Sequence, residues 1–99
     1  MTELPPDIHQ KITTDFGTQA PEAIDLLNKA ISTSKYVNDA HVVRCVIHLA
    51  EKDLIKLTEY IEMAKLDPRD VMFLAEYTNH AAENPTRIHD FSKPFGKNG

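Results

Sequence analysis

Tryptophan is absent from this chain, cysteine occurs once, and glycine occurs only three times in 99 residues. The lone Cys45 excludes an internal disulfide framework and fits a reducing compartment. Two of the glycines, Gly96 and Gly99, fall in the last four positions, so glycine turns cannot punctuate the chain as they do in all-β folds. No apolar run approaches the roughly 20 residues that span a bilayer. The opening MTELPPDIHQ has neither a basic nor an apolar stretch of the secretory kind. A cytoplasmic protein with no membrane association is expected. Cations are in deficit too, with 11 Lys and Arg against 15 Asp and Glu, a net charge of −4. Phosphate backbones are held by concentrated cations, and no segment concentrates them, so nucleic acid is not an expected partner.

What the chain does have is helical periodicity. Its apolar fraction of 41% is enough for a globular core without metals or disulfides. From Val42 to Tyr77, dense apolar spacing is broken twice, at Lys52-Asp53-Leu54 and at Leu66-Asp67-Pro68. Each break carries an aspartate able to cap a helix, and Pro68 with Asp70 suits a first helical turn. Helices joined by such short links must fold back on one another. The spacing predicts helices over 39–51, 54–66 and 68–83, the last with Val71, Leu74, Ala75, Thr78, Ala81 and Ala82 inward. Asn84-Pro85 would stop it.

Two further helices are expected upstream, over 6–15 and 20–33. The first carries Ile8, Ile12 and Phe16 as a narrow stripe, with Gly17 just past its end. The second gathers Ala23, Ile24, Leu26, Leu27, Ala30 and Ile31 on one side, with Thr18 as a cap. The whole chain, 1–99, therefore reads as one all-α domain of about five antiparallel-stacked helices, armadillo- or HEAT-like in shape, with a tail over 84–99. In that tail Ile88 and Phe91 either dock on the helical body or form a linear motif for a partner.

The residues Arg44-Cys45, Leu49-Ala50, Asp67, Arg69-Asp70-Val71 and Ala75-Glu76-Tyr77, followed by Asp90 to Phe95, have a further use. Over roughly 42–95 the chain resembles a group of short, all-helical bacterial proteins that share this block. The resemblance implies a helical, armadillo-like fold and no catalytic activity.

One cluster could carry chemistry. His41, Cys45 and His48 at i, i+4 and i+7 lie within about 60° of one another on a helix, and imidazole and thiolate both ligate zinc. The outer two are about 10 Å apart, so an ion would be shared by one pair, with outside ligands such as Asp53 or His80. A buried structural cysteine between surface histidines is the simpler expectation. No glycine-rich turn or catalytic signature accompanies it, so neither a cofactor nor enzymatic activity is expected. A second group sits on the far side of the 54–66 helix, where Ile55, Glu59, Glu62 and Leu66 fall on one face. The expected function is a non-catalytic protein-interaction module with that face toward a protein partner, or toward a second copy in a homodimer. A metal- or thiol-dependent protein built on Cys45 with His41 or His48 is the alternative.

Overall fold

Most of the chain is helical, and the helices start where the sequence supplies caps. The computed structural model describes residues 4–78, 80 and 83–96. Helix α1 (Pro6–Phe16) ends at Gly17, whose φ of 52° is a left-handed conformation suited to glycine. A single 3-10 turn, Gly17–Gln19, then leads into α2 (Ala20–Thr33), so Gln19 occupies the cap position and Thr18 lies inside the turn. Helices α3 (Ala40–Ala50), α4 (Leu54–Leu66) and α5 (Pro68–Glu76) follow.

Their three caps are aspartates. Asp39 accepts from the His41 amide, Asp67 from the Arg69 amide, and Asp53 from both the Ile55 and Lys56 amides. Each satisfies donors that the first turn leaves without partners. The α3–α4 link is so short that Glu51 and Lys52 both take positive φ, 49° and 67°. Asp53→Ala is expected to lower stability by about 1 kcal/mol, and Asp53→Asn by much less, because an amide oxygen still accepts. Urea unfolding of the two variants checks this; equal losses would mean that the carboxylate acts through its charge.

Helix α3 sits at the centre. It packs on α4, α5 and α1, while α2 covers α1 and α4. Every residue from Val42 to Ile47 is consequently buried, including Arg44. Ile8, Ile12, Phe16, Leu27, Val37, Leu57, Ile61, Val71 and Phe91 complete one continuous core. No described helix is long and apolar enough to cross a membrane.

Besides the Thr18 cap, three expectations need correction, the first being Leu74, expected inward on α5 but exposed. The all-α description gives way to a mostly helical one with a small antiparallel sheet, β1 (Tyr77–Thr78) against β2 (Thr86–Arg87). The helix expected over 68–83 ends at Glu76, because Tyr77 is extended (φ −116°, ψ 152°). From there the backbone pairs with the returning chain: the Ile88 and His89 amides both donate to the Glu76 carbonyl. The helical spacing of Thr78 thus describes strand, and Ala81 and Ala82 lie outside the described residues. The tail after Asn84 is split in its packing. Phe91 is buried, whereas Ile88 stays about half exposed.

Candidate functional site

The polar centre of the molecule is built where α3, α5, α1 and the returning tail converge. Two buried charged residues anchor it, Arg44 and Glu76. Arg44 projects from the central helix and donates through Nε and Nη2 to the two carboxylate oxygens of Asp7 on α1, at 2.9 and 3.2 Å. Its Nη1 donates to the Phe91 carbonyl at 3.2 Å. The planar guanidinium fork suits this two-point contact, which an ammonium cannot reproduce. Asp7 also accepts from the Phe95 amide at 3.0 Å. Burial pulls the Asp7 carboxyl upward, but the Arg44 and Phe95 hydrogen bonds and the Arg44 charge outweigh it and hold it below its ordinary value.

Glu76 ends α5 and faces the same tail. Its Oε2 accepts from the Phe91 amide at 2.7 Å, from Arg87 Nη2 at 3.1 Å, and from His41 Nε2 at 2.8 Å. An oxygen that accepts from the other two requires the His41 proton to sit on Nε2. Arg87 donates in turn to Asp90 at 3.0 Å. The backbone of Phe91 is thereby held on both sides, its N–H by Glu76 and its carbonyl by Arg44.

Of the three residues considered as ligands, the structure brings two together. His41, Cys45 and Glu76 hold ligand atoms within 4.8 Å of one another. His48 stands apart, its ring 4.9 Å from both the His89 and Phe91 rings. Burial, and then the neighbouring His89, lower the His48 pKa. Asp53 is occupied as the α4 cap, and His80 packs edge-on against Phe73. The Cys45 thiol is fully buried. Burial first, then the negative charges of Glu76 and Asp39, push its pKa up, so it stays protonated and is a poor nucleophile as it stands.

The four residues of the α4 face are all exposed, Ile55 at 72% and Leu66 at 85%. Glu62 lies 2.8 Å from Lys65, while Glu59 has no ion pair among the described residues.

Sequence reasoning missed the Arg44–Asp7 pair and the triple acceptor at Glu76. A signal was present, because Arg44, Glu76, Asp90, Phe91 and Phe95 all belong to the block that carried the resemblance. Compared with known protein families, with curated proteins and with solved structures, the chain matches none of them.

Proposed function

We propose that this protein is a non-catalytic interaction module that binds a cationic helical segment of another protein through the outer face of α4. The supporting observation is the uncovered stripe Ile55, Glu59, Glu62, Leu66, with two apolar ends and two acidic residues between them. At 1.5 Å per residue the stripe runs for about 16 Å, three helical turns. Apolar anchors of this kind supply affinity, and complementary charge supplies encounter rate and register.

The charge pattern chooses between occupants. A two-fold antiparallel pairing centred on this stripe would set Ile55 against Leu66 of a second copy, but also Glu59 against Glu62. Like charges would meet at the middle of a homodimer seam. A partner helix with two Lys or Arg between two apolar residues avoids that clash, and the net charge of −4 draws such a partner in. An armadillo- or HEAT-like stacking of the helices belongs to the same proposal, supported by the mutual packing of the consecutive helices α3, α4 and α5. A cytoplasmic setting belongs to it as well, on the strength of the single reduced cysteine.

The test is a synthetic helical peptide with leucines at i and i+11 and lysines at i+4 and i+7, titrated by fluorescence anisotropy. Wild-type protein should bind it at least tenfold more tightly than a version with glutamates for the lysines. The double variant Ile55→Asp, Leu66→Asp should keep the wild-type circular dichroism and lose that binding. Equal binding of both peptides, or concentration-dependent dimers of the wild type that the double variant abolishes, would overturn the proposal.

A further inference from the structure

We infer that His41, Cys45 and Glu76 form a zinc-binding site whose loading displaces the returning tail from Glu76. The ligand set comes from two elements. His41 and Cys45 are one turn apart on α3, the i, i+4 spacing that lets two side chains of a helix share an ion. Glu76 reaches them from the end of α5, and all three ligand atoms lie within 4.8 Å of one another. Zinc bound at about 2.0–2.3 Å from each ligand would set those atoms roughly 3.5 Å apart, so the widest pair closes by about 1.3 Å at most, while His41 Nε2 and Glu76 Oε2, now 2.8 Å apart, open slightly. One nitrogen, one sulfur and one oxygen make a donor set of the zinc type, with a fourth position left open. Access runs along His41, which is partly exposed, since the Cys45 thiol is closed off from solvent.

Glu76 already holds a cation. Arg87 lies 3.1 Å from Oε2, and the Phe91 amide and His41 share that oxygen. A metal at this oxygen replaces the guanidinium and both other donors. In the exchange the Cys45 thiol gives up its proton to solvent, His41 moves its ring proton from Nε2 to Nδ1, and Arg87 and the Phe91 amide are released. Metal uptake and tail docking thus compete for one atom. This site is separate from the α4 face, so either can fail without the other.

The experiment uses the full-length protein and the metal alone. Cobalt(II), as a spectroscopic stand-in for zinc, should give a thiolate-to-metal charge-transfer band that saturates at one equivalent and that zinc bleaches. Cys45→Ser should lower zinc affinity by about 100-fold, while His48→Ala and His89→Ala leave it unchanged. On loading, the Phe91 amide should lose hydrogen-exchange protection. No charge-transfer band with excess cobalt overturns the inference, whatever the variants do. So does zinc binding that survives Cys45→Ser or is lost in His48→Ala, and so does a loaded protein whose Phe91 amide stays protected.

Discussion

Replacing Arg44 with alanine should cost the protein about 3–5 kcal/mol of stability, the range for removing one partner of a buried ion pair. The loss has two parts. Asp7 keeps a largely buried carboxylate with its counter-charge gone, its side chain being only 18% exposed. The buried Phe91 carbonyl also loses its donor. Arg44→Lys should recover little of this, because an ammonium cannot address both Asp7 oxygens and the Phe91 carbonyl from one plane. The pair also gives the protein an acid limb. Asp7 titrates below its ordinary 3.8, so its contribution is complete above that value and disappears as pH falls through the depressed one. Urea unfolding between pH 7 and pH 2 should therefore show a downward slope on acidification that is shallower in Arg44→Ala, where Asp67 and Asp90 still titrate below their ordinary value. A loss under about 1 kcal/mol at pH 7, typical of surface positions, would mean that water replaces the guanidinium without penalty.

The second large effect belongs to the apolar core. Ile61 lies on the inward side of α4 with Leu57 and Ala64, and all three are buried. Helix α4 packs against α3, α5 and α2, so a cavity at its middle turn opens against several elements at once. Ile61→Ala is expected to cost about 2–5 kcal/mol, the sum of lost transfer energy and the void that remains. Ile55→Ala, on the outward side, should change stability by less than about 0.5 kcal/mol. Denaturant titration of the two side by side checks the rotational phase of the helix. Equal losses would show that the exposed face is covered in solution.

Helices α2 and α4 have the expected limits, because their stripes are regular and their ends are marked. The aspartate at each link proved legible for the same reason: capping is local chemistry, read from three or four neighbours. Helix α3 was harder. A helix packed on several sides keeps only a narrow polar face, here His41 and His48, and Arg44 reads as a surface residue until Asp7 and Phe91 are seen beside it. The end of α5 was misjudged because Thr78 continues a helical period. What ends the helix is the return of residues 86–91 to Glu76, a contact that no local pattern announces. For the same reason Glu76 was absent from the candidate ligands, although His41 and Cys45 were among them. The α4 face was visible early, since a charged and apolar stripe opposite a core stripe needs only the helical period.

The bonds that fasten the tail differ in range from those that build the body. Helices α3, α4 and α5 pack on one another within a short stretch of chain, whereas Arg44 to Phe91 closes a loop of 47 residues and Asp7 to Phe95 one of 88. Ring closure over the longer span carries an entropic cost of about 4 kcal/mol, growing only slowly with length. Short helical hairpins incur only about half of it, so in a folding chain they are favoured to form first. Buckling Phe91 and Phe95 onto Arg44 and Asp7 is then a late event, made on a surface that the hairpins have already assembled.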